Sequence, residues 1–201
     1  MNFDYLKDAE PNTEELKNLY EALYSHLEAA EEVYWSKPQK CGMLLRKAAG
    51  EICRIYNTYY DIGFPESATL EDYLCYTKED AHNVMVSRFL SVIRKEQRDH
   101  LEWLRVWGDE CIFLEENPDE IRHESDKLYL NVKKMMVSML IVTKEMCQKL
   151  NHMENLEQYV FEDTILPGYQ TEEEIEQMEE EKKLQEKKQK KKSFLAAFFG
   201  R

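Results

Sequence analysis

Glycine and proline are scarce in this chain, which has six glycines and five prolines among 201 residues. An all-β protein of this length needs a turn about every ten residues, and such turns rely on both residue types. Long hydrophobic runs are also missing. The longest, around residues 135–142, contains Ser138 and is far shorter than the ~20 residues of a membrane-spanning helix. The sequence therefore predicts neither an all-β fold nor a spanning helix.

Paired cysteine motifs are absent as well. The cysteines are odd in number and include no Cys-x-x-Cys pair, so they fit neither a disulfide framework nor a zinc ribbon. We expect reduced, buried thiols and no metal ion or cofactor. Residues 1–10 are mixed and acidic and do not resemble a secretory signal, so we expect a cytoplasmic protein. The five cysteines are Cys41, Cys53, Cys75, Cys111 and Cys147.

The chain has fewer basic than acidic residues. The chain has 27 lysines and arginines against 40 acidic residues, which gives a formal net charge of -13. A strongly acidic surface repels phosphate groups, so we expect no broad nucleic-acid binding.

Apolar residues recur at helical spacing along most of the chain, and strand-like alternation is rare. The pattern predicts an all-α bundle of about five helices in residues 1–170, followed by an extended charged C-terminal appendage. Asn12 or Thr13 can cap the first helix, and Pro38 is expected to end it. The other predicted helices cover residues 41–59, 70–76, about 81–107, and about 119 or 125 to 150. Gly108 and the pair Asn117-Pro118 are expected to bracket a break before the last of them.

The last of these helices has the most regular apolar stripe, and apolar residues on its flank (Val137, Leu140, Ile141) widen it. A helix with such a wide stripe is typically covered on more than one side, so we expect it at the centre of the bundle. The stripe consists of Leu128, Val132, Met135, Met139, Val142, Met146 and Leu150.

Two spacings invite a catalytic interpretation. Glu79…His82 and Glu120…His123 match the Glu-x-x-His pairs of di-iron helical oxidases, but abundant acidic residues produce such pairs by chance, so this is the least favoured alternative. Arg94, Arg98 and His100 contain the arginine and histidine that a metal-independent ribonuclease uses for charge stabilisation and proton transfer. A solvent-exposed helix face rich in charged residues produces the same spacing by chance. A ribonuclease is therefore the alternative to a non-catalytic domain.

A more specific pattern follows in residues 104–113, Leu-Arg-Val-Trp-Gly-Asp-Glu-Cys-Ile-Phe. It resembles the Leu-Arg-x-x-Gly-Asn-x-Ala-x-His pattern of a bacterial family, domain of unknown function 4145, which is related to the HEPN helical bundles. Residues 19–22, 41–53 and 68–70 resemble further segments of this family in the same order. The resemblance covers about residues 13–150 and implies a helical bundle that forms homodimers.

This chain departs from the family pattern at the positions that matter for chemistry. Arg105 and Gly108 match it, but Asp109 replaces the asparagine and Phe113 replaces the histidine; HEPN ribonucleases have arginine where Gly108 stands. A phenyl ring cannot transfer a proton. The resemblance therefore implies a non-catalytic interaction or scaffold domain, an accessory of a bacterial defence or nucleic-acid-processing system.

The composition changes at residue 171. Residues 171–192 are acidic and then basic, and residues 193–201 form an amphipathic end; residues 171–201 together hold eight acidic and eight basic residues, so the body carries the whole net charge. The end resembles the membrane-targeting peptide of MinD-type division ATPases. We expect it to bind an anionic membrane surface, at the inner face of the membrane, or an unknown partner protein. Its candidate contact residues are Lys187, Lys188, Lys190, Lys191, Lys192, Phe194, Leu195, Phe198 and Phe199.

Overall fold

The computed structural model describes residues 1–74, 83–171 and 174, and for residues 118–126 it describes the backbone alone. Over these residues the fold is all-α, as predicted, with six α-helices. A short 3-10 helix at Asp4–Asp8 precedes them, and two more, at Leu156–Gln158 and Asp163–Ile165, follow them. The α-helices are α1 (Glu14–Val33), α2 (Pro38–Tyr59), α3 (Leu70–Leu74), α4 (Val84–Val92), α5 (Lys95–Glu116) and α6 (Pro118–Leu150).

The helix starts follow from local chemistry. The Thr13 hydroxyl accepts a hydrogen bond from the amide of Leu16 at 3.2 Å and caps α1. The Asn83 side chain accepts one from the amide of Met85 at 3.0 Å and caps α4. Pro38 was expected to end the first helix, but it is the first residue of α2, where a missing N–H costs nothing because the first amides of a helix have no partner within it.

The predicted single helix over residues 81–107 is wrong. The described chain has two helices there, α4 and α5, separated by extended backbone at Ile93 and Arg94. The predicted break does not begin at Gly108, because α5 continues through this residue to Glu116; the break is confined to Asn117, and α6 begins at Pro118. A Cβ at Gly108 would lie 2.4 Å from the Cβ of Arg46 on α2. The glycine therefore permits the close approach of two helices and does not mark a turn.

Helix α2 lies at the centre of the bundle, in contact with α1, α5 and α6. The predicted stripe of α6 is confirmed, since all seven of its residues are buried. On its flank Leu140 is buried, but Val137 is 40% exposed. Helix α6 packs against α5 and α2. Hydrogen bonds of Thr143 with Tyr5 and of Lys144 with the Tyr159 carbonyl also join it to the segments before α1 and after α6, so α6 is covered on more than one side, and Val137 lies on the side that stays open.

The first compact unit spans Met1–Pro167. The predicted appendage, residues 171–192 and 193–201, lies outside the described residues except for positions 171 and 174. Among the helices described, none is both long enough and apolar enough to cross a bilayer.

Candidate interaction site on helices α5 and α6

The family-like segment, residues 104–113, lies in the second half of α5. Its side chains point in two directions because successive residues turn by about 100° around the helix axis. Gly108 faces Arg46 of α2. Val106 and Phe113 lie on the opposite side of α5, two turns apart, and are 47% and 51% exposed.

Asp109 belongs to an ion-pair network between helices. Its carboxylate oxygens lie 2.6 Å from Nε of Arg46 and 3.2 Å from the guanidinium of Arg105. Arg105 also pairs with Glu102 at 2.7 Å and with Glu71 of α3 at 3.2 Å. Asp109 thus joins α5 to α2, and Arg105 joins α5 to α3.

Helix α6 presents a second exposed apolar pair. Leu130 is 54% and Val137 is 40% exposed, and they are also two turns apart. Met135 points the other way, with its sulfur 3.5 Å from where a Cβ on Gly42 of α2 would be. Both exposed pairs, on α5 and on α6, therefore face away from α2.

Helices α5 and α6 are neighbours, and a hydrogen bond of 3.1 Å between His100 Nδ1 and Ser138 Oγ joins them. Their exposed apolar residues therefore belong to adjacent helices. We use the name α5–α6 face for the exposed apolar residues of these two helices, Val106, Phe113, Leu130 and Val137.

The charges beside the α5–α6 face differ in sign between the two helices. Glu110 is exposed on α5 next to Val106 and Phe113, and Lys134 is exposed on α6 next to Leu130 and Val137. Within the described residues neither side chain forms an ion pair, whereas nearby Lys133 pairs with Asp163 at 2.5 Å. An exposed acidic residue thus accompanies the apolar pair on α5, and an exposed basic residue accompanies the pair on α6.

The ribonuclease candidates do not converge on one point. His100 points to Ser138 of α6, and Arg98, two residues earlier on α5, faces another side of the helix. Arg94 instead lines a cavity beside the last turn of α6. The ribonuclease interpretation stays a prediction.

The metal candidates fall outside what the structure describes. Glu79 and His82 lie in the gap between residues 74 and 83, and the side chains of Glu120 and His123 are not among those described. Among the described side chains, no group of three or more potential ligands is close enough to hold a metal ion. The candidate residues of the tail, from Lys187 to Phe199, are likewise outside the described residues.

Sequence reasoning did not single out Val106, Leu130, Glu110 or Lys134, and it assigned Val137 to a widened core stripe. The signal was present as apolar pairs seven residues apart, offset from the main stripe of each helix. Periodicity alone could not show which side of the helix a neighbour covers.

No protein-family model, curated protein or solved structure matches this chain. The resemblance of residues 13–150 to the HEPN-like family therefore stays a prediction.

Proposed function

We propose that this chain is a non-catalytic interaction domain that pairs with a second copy of itself through the α5–α6 face. The observation that carries the proposal is the position of Phe113. The residue that would be a proton-transferring histidine in the family pattern is an apolar ring, 51% exposed, beside Val106 on the outer side of α5. An exposed phenyl ring at this position can take part in protein contacts but not in proton transfer.

The neighbouring residues support the same proposal. Asp109, at the family's asparagine position, is paired with Arg46 and Arg105 and is thereby occupied in holding helices together. A substrate phosphate would meet this carboxylate and the -13 charge of the chain. The segment is therefore better suited to packing than to binding RNA.

A second copy of this chain is the partner that fits the charges beside the α5–α6 face. In a twofold arrangement, any contact of α5 with the partner's α6 is made twice, once in each direction. Glu110 of each copy would then face Lys134 of the other, while the exposed apolar pairs cover one another. Charges arranged in this way specify the partner and the register of the contact.

Pairing would also bring two C-terminal tails together. One short amphipathic end is a weak anchor, comparable to a single lipid chain, and two linked copies bind more tightly through effective concentration. We propose that the tail recruits the pair to an anionic membrane or to a partner protein. By its resemblance to HEPN accessories, the domain would serve a bacterial defence or nucleic-acid-processing system.

Sedimentation velocity of two matched variants tests the proposal. Phe113→Glu places a charge in the α5–α6 face and should convert the dimer to monomer. Val160→Glu is the control, because Val160 is also exposed, at 68%, but lies outside α5 and α6; this variant should sediment like wild type. Two results would contradict the proposal. One is a wild type that sediments as a monomer, and the other is a Phe113→Glu variant that sediments as a dimer like wild type and Val160→Glu.

A further inference from the structure

A polar cavity of about 270 Å³ lies where α5 begins and α6 ends, with α2 as its wall. It is on the other side of α5 from the α5–α6 face, since Gln97 is nine residues, or half a revolution, from Val106. The lining residues are Tyr56, Arg94, Gln97, Glu145, Gln148 and Lys149. From these groups we infer that the cavity binds a small zwitterion of amino-acid type.

Two positive charges meet in this cavity without an anion paired to either. The Lys149 ammonium donates a hydrogen bond to the Val92 carbonyl and lies 5.5 Å from the centre of the Tyr60 ring. Burial, and then repulsion from Arg94, lower the pKa of Lys149. In the described chain neither Arg94 nor Lys149 forms an ion pair, so a bound carboxylate would relieve the repulsion.

The start of α5 contributes Arg94 and Gln97 to the lining of the cavity. Arg94 is the N-cap residue, and its side chain caps none of the first amides of the helix. These amides and the positive end of the helix dipole attract an anionic group. The Gln97 carboxamide, 1% exposed, is fixed by a 2.8 Å hydrogen bond from its Nε2 to the Tyr56 hydroxyl.

Glu145 places a negative charge in the same cavity. One of its carboxylate oxygens is buried and has no hydrogen-bond partner. Lys149 follows one turn later, the usual spacing for a helical ion pair, but its ammonium is held by Val92 and the tyrosine rings instead. A buried carboxylate oxygen without a hydrogen-bond partner is costly, and a ligand ammonium would satisfy it.

The size and the charges together define the ligand class. A cavity of 270 Å³ is slightly smaller than the pockets that hold drug-sized molecules, and suits a metabolite with few atoms beyond its polar groups. Arg94 and the α5 amides would hold the carboxylate, and Glu145 would hold the ammonium. A phosphate or acetate ion alone would leave Glu145 without a partner and would repel it.

Thermal unfolding and titration calorimetry of the full chain with glycine, L-leucine, L-glutamate and L-lysine test this inference. At least one amino acid should raise the melting temperature in a saturable way, while acetate and methylamine alone should not. Arg94→Gln and Glu145→Gln should each weaken binding about tenfold or more, since each removes one charge-assisted contact. Lys47→Gln, an exposed position on α2, removes the same charge as Arg94→Gln and should leave binding unchanged.

Two results would overturn the inference. One is the absence of a saturable shift with all four amino acids. The other is binding of acetate or inorganic phosphate with equal affinity to wild type and Glu145→Gln, which would identify a simple anion site. The melting temperatures without ligand verify that each variant folds.

Discussion

Two glycines within helices show how the absence of a side chain affects the packing of helices differently from place to place. A Cβ on Gly108 would lie 2.4 Å from the Cβ of Arg46, whereas a Cβ on Gly50 of α2 meets nothing within 4 Å. We expect Gly108→Ala to destabilise the fold by about 1–3 kcal/mol, because α5 and α2 must move apart. Gly50→Ala should stabilise it by roughly 0.5–1 kcal/mol through the higher helix propensity of alanine.

Urea unfolding of the two glycine variants provides the measurement. Because the substitution is identical and both positions are helical, the difference in sign isolates the contact between α5 and α2. Stabilisation by Gly108→Ala would mean that the two helices do not approach each other as closely as described.

The cysteines follow the prediction at the residue scale wherever the structure describes them. Cys41, Cys53, Cys111 and Cys147 are buried and form no disulfide. Burial raises the pKa of Cys111 and of Cys147 to about 12, so both thiols stay protonated at neutral pH. Cys75 lies outside the described residues.

At the scale of the helices, the periodicity of the sequence predicted features that depend on residues close in sequence. It missed features that depend on a helix distant in sequence. The stripe of α6 and the Thr13 cap follow from residues close in sequence. The separation of α4 from α5 occurs at Ile93 and Arg94, two residue types that carry no turn signal. The role of Gly108 depends on Arg46, sixty-two positions earlier, and so could not be seen in the segment itself.

Only part of the candidate site on α5 and α6 could be predicted from the sequence. From the resemblance, the sequence predicted that Phe113 and Asp109 stand where the HEPN-like pattern has a histidine and an asparagine, and hence a segment without proton transfer; this stays a prediction. It could not show the ion pair of Asp109 with Arg46 or the exposed side of α6, because both depend on how α2, α5 and α6 pack.

The charges beside the α5–α6 face give a prediction at the same scale. Glu110→Lys and Lys134→Glu should each weaken dimerisation by about tenfold, since twofold symmetry repeats each unfavourable pair. The double variant should recover most of the wild-type affinity. Sedimentation velocity over a concentration series gives the dissociation constants.

Glu28→Lys on α1 is the matched control for the charge reversal, because Glu28 is exposed and distant in sequence from both helices. It should leave the dissociation constant unchanged. A double variant that is weaker than either single variant would show that the two charges do not face each other between copies.

For the whole molecule, the arrangement of α5 predicts no ribonuclease activity. His100 is hydrogen-bonded to Ser138 in the middle of α6, whereas Arg94 lines the cavity beside the last turn of α6, and Phe113 cannot transfer a proton. We expect the purified protein to leave a fluorescent single-stranded RNA intact without metal ions, and His100→Ala to behave in the same way. Cleavage by wild type that His100→Ala abolishes would establish the ribonuclease and reject the non-catalytic proposal.

The tail gives a second prediction at the whole-molecule scale. The body carries the entire -13 charge and is repelled by anionic lipid, so attraction must come from the lysines and phenylalanines of the tail. We expect sedimentation with anionic liposomes but not neutral ones, weakened by salt. Truncation after Gln185, or Phe198→Glu combined with Phe199→Glu, should abolish it. Equal binding by the truncated chain would reject the membrane role in favour of a protein partner.

Sedimentation equilibrium of the wild-type chain tests the central claim, self-association through the α5–α6 face, most directly. The account predicts a mass that approaches twice 24.1 kDa as concentration rises, and a Phe113→Glu variant that stays at 24.1 kDa over the same range. A wild-type mass of 24.1 kDa at every concentration, or a dimer that Phe113→Glu leaves intact, would contradict it.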